Sequence, residues 1–293
     1  MRKRILITGT SGQLGNAVLN EFQDYEILAV DLIPTAIQSR SIEFKSLDIT
    51  KKDEVKSVIQ SFKPEIILNL AAMTDVDTCE ENPELAEEIN SNCLNSFLDE
   101  FQGTFVQIST DYVFNGEDGP YSETNQTNPI NCYGRTKLNS EKLVRAFSNQ
   151  WVVLRTNVVY DYIQSTKASF VKWVVDSLSN GKSINVVNDQ WNNPTWTVSL
   201  AQVLCQALNM EVTGLFHYGG ADQVSRYQFA GMIAEVFNLD NSLINPISTS
   251  ELNQIAPRPL NCGLKTQLIE SKLGVKPISL LECLTKIKSK LTA

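Results

Sequence analysis

Histidine is almost missing from this chain: one residue, His217, in 293. Metal sites and nucleophile systems that lean on imidazole are therefore poorly supplied, and no metal site is expected. The six cysteines, at 79, 93, 132, 205, 262 and 283, contain no Cys-x-x-Cys pair and have no histidine neighbour. They read as the free thiols of a reducing compartment, so the expected location is cytoplasmic. No apolar run approaches the roughly twenty residues of a membrane span. The basic start, Met1 to Arg4, meets only Ile5 to Thr8 before Gly9, too short for a secretory leader. Positive charge is also scarce: 25 Lys and Arg stand against 33 Asp and Glu, a net charge of −8. That balance argues against nucleic acid or an anionic membrane as partner.

What is present is a repeated alternation. Arg4-Ile-Leu-Ile-Thr8 predicts a buried strand, Gly9-Thr-Ser-Gly12-Gln13-Leu14-Gly15 a turn, and Leu14, Val18, Leu19 and Phe22 one face of a helix. Strand, glycine turn and helix together raise a glycine pattern above chance. Gly9 permits a tight turn, Gly12 lets backbone N–H groups reach a diphosphate, and Gly15 lets helix and strand pack closely. The helix N-terminus adds partial positive charge. A second strand, 25–30, ends at Asp31, where a carboxylate grips an adenosine ribose and repels a 2′-phosphate. NADH or NADPH is the expected cofactor, with NADH slightly preferred, although Arg40 is placed to answer a 2′-phosphate. A third strand, 42–47, leads to Asp48-Ile49, a candidate adenine contact. A helix over 51–62 and a strand over 65–70 follow, then Ala71-Ala72-Met73-Thr74, small enough at first for a cofactor to lie across the sheet edge. One helix is predicted over 83–101, with Asn82 as its cap before Pro83.

The strand 103–108 delivers Ser109-Thr110-Asp111 to its end, and a helix over 133–147 carries Tyr133 and Lys137 four residues apart on one face. A phenol is a poor acid at neutral pH until a cation stands beside it, and Lys137 is placed to supply one. The hydroxyl of Thr110 is placed to hold the same carbonyl oxygen. Tyr-x-x-x-Lys arises about once by chance in a chain with 8 Tyr and 25 Lys and Arg, so its context decides. That context is a doubly wound parallel α/β sheet whose strand C-terminal ends collect Gly9–Gly15, Asp31, Asp48, Ala71–Thr74 and Ser109–Asp111. Later segments predict a helix over 168–178 stopped at Asn180-Gly181, a strand 183–187, a helix 198–210, a strand 215–218 in which His217 is structural, and a helix from Arg226 capped by Ser225. A last helix begins at Ser279.

Gly9-Thr-Ser-Gly-Gln-Leu-Gly15, Asn69-Leu-Ala-Ala-Met-Thr74, Ser109-Thr-Asp-Tyr-Val-Phe114 and Tyr133-Gly-Arg-Thr-Lys137 resemble the extended short-chain dehydrogenase/reductases, and within them the dTDP-4-dehydrorhamnose reductases. Asn188-Asp-Gln-Trp191-Asn-Asn-Pro-Thr195 and Ala256-Pro-Arg258-Pro-Leu-Asn261 resemble two later stretches of that subgroup. The resemblance implies a Rossmann domain over 1–155 and a smaller, interleaved substrate domain over 156–293 that returns some segments to the sheet. It implies Thr110, Tyr133 and Lys137 as the catalytic set, with Lys137 also bonding the nicotinamide ribose and Ser109 and Tyr133 among the cofactor contacts. It places Thr74, Asp111, Val158, Trp191, Thr195 and Arg258 around a nucleotide-sugar substrate, Arg258 near its phosphates. Val158 stands where the subgroup carries Trp, Met73 where a His is common, and Asn192-Asn193 where a Gly-containing pair is usual. The implied reaction is reduction of the C4 keto group of a nucleotide-linked 6-deoxy sugar by a monomer or homodimer. The alternatives are a related sugar-nucleotide epimerase or reductase, and a non-catalytic regulator. Gly214-Leu-Phe-His217 and Ser225-Arg-Tyr-Gln-Phe-Ala230 also resemble the beta regulatory subunit of methionine adenosyltransferase.

Overall fold

The computed structural model describes residues 2–34, 41–147, 150–163 and 169–292. Seven strands form one parallel sheet: β1 (Arg4–Thr8), β2 (Glu26–Asp31), β3 (Ile42–Ser46), β4 (Ile66–Asn69), β5 (Thr104–Thr110), β6 (Trp151–Thr156) and β7 (Gly214–His217). Their spatial order is β7-β6-β5-β4-β1-β2-β3. Ile5, Leu6 and Ile7 are fully buried because helices cover both faces, which is why the central strands are apolar throughout. The edge strand β3 instead exposes Glu43, Lys45 and Ser46, charged and polar side chains that discourage pairing with another edge. Helices Gln13–Glu21, Thr197–Asn209 and Gln267–Leu273 pack one face, and Lys52–Phe62, Leu94–Leu98 and Cys132–Ala146 the other. The chain turns to β2 on one side of β1 and reaches β4 on the other, so a crevice opens at the C-terminal ends of β1 and β4.

A third apolar cluster belongs to the C-terminal half, with Tyr160, Val174, Phe229, Ile233 and Leu284 at its centre. There Ile184–Val187 pairs in parallel with Ile244–Ile247. Trp196 packs in this cluster beneath Lys290, whose Nζ lies 5.1 Å from the ring centroid.

Two expectations are corrected. The single helix over 83–101 is three pieces: Pro83–Glu87, a π-helical turn at Glu88–Asn92, and Leu94–Leu98. Asn82 does not cap it, because its Nδ2 donates back to the Thr78 carbonyl, ending a preceding helix at Val76–Glu81. Ser225 does cap its helix, in a reciprocal box with Gln228. Arg40 and Ala168 lie outside the described residues. Among the described residues no helix is long and apolar enough to cross a membrane, and no three His, Cys, Asp or Glu converge as a metal site.

Candidate active site

The glycine turn is built by three different restrictions. Gly9 has φ +68°, and a Cβ there would lie 2.6 Å from the Ala71 nitrogen. A Cβ on Gly15 would lie 2.5 Å from the Gly9 carbonyl oxygen. Gly12 is different: its backbone is extended, and a Cβ would meet only the Gly9 carbonyl oxygen, at 3.3 Å. Gly12 is also the N-cap of the Gln13–Glu21 helix and offers no side-chain cap. The start of this helix thus turns its partial positive charge toward the turn, where an anion would sit. Leu14 packs on the core, and the Gln13 side chain accepts the Asp161 N–H at 3.0 Å. This cradle fits a dinucleotide diphosphate. Gly12→Val keeps an allowed backbone but fills the approach; dinucleotide affinity by calorimetry is expected to fall at least about tenfold, some 1.4 kcal/mol, with the melting temperature nearly unchanged.

Asp31 ends β2 beside this turn, its carboxylate oriented by the N–H groups of Ser11 (2.9 Å) and Leu32 (2.7 Å). Asp48 accepts the Thr50 hydroxyl and N–H, and those bonds hold its carboxyl below the usual range. Ile49 is buried beneath it. The segment Ala71–Thr74 is held from behind. The Thr8 hydroxyl accepts the N–H groups of Leu70 and Ala71, both at 3.1 Å, and donates to Asn69, whose amide donates to Gln107. Asn90, on the π turn, pins Met73 through both backbone groups and donates to the Thr136 hydroxyl at 3.0 Å. It ties this segment to the Tyr133 helix. Such π turns recur at functional sites. Ala72 is partly covered and Thr74 exposed.

Ser109 and Thr110 are the last two residues of β5, which runs two residues further than the sequence places its end. The facing helix starts at Cys132, capped by Asn131. A Cβ on Gly134 would lie 2.2 Å from the Tyr112 carbonyl, so this glycine lets the helix close on the Asp111–Val113 turn. Tyr133 meets Tyr112 edge to face at 5.9 Å. Burial pushes the Tyr133 phenol above its ordinary value, and a hydrogen bond with Thr110 acts the other way. The expectation that Lys137 pulls this phenol into the working range is therefore corrected: desolvation wins and keeps the phenol protonated. The Lys137 ammonium is itself pulled down to about 8 by burial, opposed by Glu141.

Asp111 is 2% exposed, and its Oδ2 is buried without a hydrogen-bond partner. Burial raises its carboxyl to about 6, with Thr110 and Arg226 opposing. Arg226, unread as a site residue, stands against Tyr112 and Asp111 and senses Arg258. Its signal was its place as the first helical residue after the Ser225 cap. The Nη1 of Arg258 donates to Asp77 at 2.8 Å and to the Ala256 carbonyl at 2.7 Å. Val158 carries φ +39°, a left-handed conformation costly for a β-branched residue. Trp191 is partly exposed and pairs with Ser225 and Asn261. Thr195 is corrected: it is fully buried, its hydroxyl bonded to Thr156 and Asn157. It stands behind the cleft, not along it.

Beneath the strand end lies a buried charged chain. Glu141 accepts the Ser109 hydroxyl at 2.5 Å and Arg155 at 2.8 and 2.6 Å. Arg155 also donates to His217 Nε2 at 3.3 Å, which leaves Nδ1–H to donate to the Tyr121 carbonyl. Burial and Arg155 depress this imidazole to about 3, so it is a neutral acceptor and structural, as expected.

Parallel sheet, glycine cradle and paired Tyr–Lys helix define an extended short-chain dehydrogenase/reductase fold. More narrowly, the chain belongs to the RmlD substrate binding domain family, whose model matches residues 2–292. It is 32% identical to a dTDP-4-dehydrorhamnose reductase of Aggregatibacter actinomycetemcomitans, covering 98% of each chain. It is 33% identical to methionine adenosyltransferase 2 subunit beta of Bos taurus, covering 93% of this chain and 83% of that one. A crystal structure of dTDP-4-dehydrorhamnose reductase from Bacillus anthracis in complex with NADP superposes with a TM-score of 0.89 at 29% identity, covering 99% of this chain and 100% of that one.

Proposed function

We propose that this chain reduces the C4 keto group of a nucleotide-linked 6-deoxy sugar with NADH or NADPH. The observation that carries the reading is Thr110 at the end of β5, with Tyr133 and Lys137 one turn apart on the facing helix, at the strand ends that also form the glycine cradle. The bound dinucleotide supplies a hydride to the carbonyl carbon. Gly9, Gly12 and Gly15 make room for its diphosphate, and the N–H groups of Gln13 and Leu14 bind it. Asp31 holds the ribose, Asp48 and Ile49 flank the adenine, and Ala71, Ala72 and Met73 form the floor. Thr110 and Tyr133 hold the carbonyl oxygen, and Tyr133 gives it the proton that completes the alcohol. Lys137 offsets the negative charge left on Tyr133 and faces the nicotinamide ribose. Asp111, with its unpaired oxygen, accepts from a sugar hydroxyl, and Arg226 and Arg258 supply positive charge toward the substrate phosphates. Thr74, Val158 and Trp191 border the sugar. The test is incubation with dTDP-4-keto-rhamnose and reduced dinucleotide, followed by nicotinamide absorbance. Steady oxidation supports the reading. Its absence, together with co-purification of a methionine adenosyltransferase, supports the regulatory reading that the beta-subunit relatives favour.

Asp31 sets the cofactor preference. NADH is expected to serve at least as well as NADPH, and Asp31→Ala to narrow any gap between them. A wild type already tenfold better with NADPH, about 1.4 kcal/mol, overturns that role; the relative solved with NADP makes the comparison pointed.

A further inference from the structure

Tyr133, Lys137 and Glu141 occupy successive turns of the Cys132–Ala146 helix, on one broad face. The first two act in the reaction proposed above; Glu141 has no part in it. Yet Glu141 is fully buried, and a buried carboxylate is retained as a charge only with strong partners. It has them: the bidentate Arg155 fork from β6 and the Ser109 hydroxyl from β5. Its other neighbour is Lys137, also almost completely buried. The charge-bearing groups facing Lys137 are Glu141 on its own helix and Cys93 from the segment packed against it. Burial holds the Cys93 thiol up to about 12, so it is neutral at working pH. Among the described residues, Glu141 is then the anion that offsets desolvation of the Lys137 ammonium.

We propose that Glu141 is a positioning residue of this site: standing one turn beyond Lys137 and held charged by Arg155 and Ser109, it keeps Lys137 in its ammonium form. The inference rests on the reductase reading for its catalytic consequence, but Lys137 can be read without turnover. Loss of the Lys137 proton removes the cation beside Tyr133, so an alkaline limb in the kcat profile reports it. Asp111 titrates near 6 and belongs to the opposite limb.

Two measurements test this. One is the pH profile of kcat. The other is the titration of the Lys137 13Cε resonance in substrate-free protein, assigned with Lys137→Met. Glu141→Gln keeps an acceptor for Ser109 but removes the charge; both midpoints are expected to move down by about one pH unit. Glu141→Asp keeps the charge and is expected to hold both midpoints near wild type, even if it melts earlier. A purely structural Glu141 would lower the melting temperature in both variants and shift neither midpoint. If Glu141→Gln does not fold, Glu141→Gln/Arg155→Met removes the stranded charge. The double variant still lacks the Glu141 anion, so the same downward shift of the Lys137 resonance is expected. A wild type inactive on every 4-keto sugar nucleotide overturns the reductase reading and leaves the resonance to decide. A variant midpoint within about 0.3 pH unit of wild type, far below one unit, overturns the role of Glu141 whatever the activity.

Discussion

Tyr133→Phe is expected to lower kcat by about a hundredfold to ten-thousandfold, the usual contribution of a general acid, with KM changed only modestly. The substitution removes one hydroxyl and keeps the ring. The edge-to-face contact with Tyr112 at 5.9 Å therefore survives, and so does the packing against Cys79, Cys132 and Met73. What disappears is the proton source. Because the phenol is raised by burial and stays protonated at neutral pH, the wild-type site begins each reduction with its proton in place. The developing alkoxide is then the stronger base and takes it. Steady-state kinetics with the 4-keto sugar nucleotide checks the split, and calorimetry with reduced dinucleotide checks that binding persists. If Tyr133→Phe retained turnover within about threefold, well below the range for acid catalysis, Tyr133 would not be the proton donor. The reading drawn from the beta-subunit relatives would then gain.

The parts of this site that lie on strand ends were legible in the chain. A buried parallel strand is a short apolar run, and the residue just beyond it must stand in the ligand crevice, so Gly9, Asp31, Ala71 and Thr110 could be placed by counting. Tyr133 and Lys137 followed from helix geometry. The residues behind the site were not legible. Thr8, Asn69 and Gln107 are neighbours only because β1, β4 and β5 are, and that order is a tertiary fact. Asn90 depends on a π turn that widens a helix whose apolar spacing reads as ordinary. Glu141 carries no signal in the sequence; its burial comes from Ser109 of β5 and Arg155 of β6 meeting on it. Thr195 differs in the other direction: the resemblance places it at the substrate, yet pairing of Thr195–Trp196 with Val159–Tyr160 turns its hydroxyl inward. Backbone strain at Val158 was equally invisible, since valine prefers extended conformations and nothing nearby in sequence signals φ +39°.

Arg155→Leu is expected to cost about 3–5 kcal/mol of stability, the usual penalty for stranding one charge of a buried pair. Arg155 and Glu141 are 2% and 1% exposed at the side chain and meet through two parallel bonds, so water cannot replace the missing guanidinium. Ser109 alone would remain to hydrogen-bond the carboxylate, and His217 Nε2 would lose its donor. For a domain near this size, each kcal/mol moves the melting temperature by about 2–4 °C, so a fall of roughly ten degrees is the expected calorimetric result. The sign with pH follows from the stranded charge. A buried carboxylate that has lost its guanidinium partner gains from taking up a proton, so the variant's deficit should shrink toward acid pH and widen as pH rises. The pair itself is isolated by a double-mutant cycle. Glu141→Leu/Arg155→Leu exchanges both charges for apolar side chains and should lie closer to wild type than Arg155→Leu alone, because an apolar replacement of both partners escapes the stranding cost. Were the double variant's loss equal to the sum of the two single losses, the two side chains would be energetically independent. The buried chain from Ser109 to His217 would then be a set of separate contacts, with no coupled support beneath the strand end that carries Thr110.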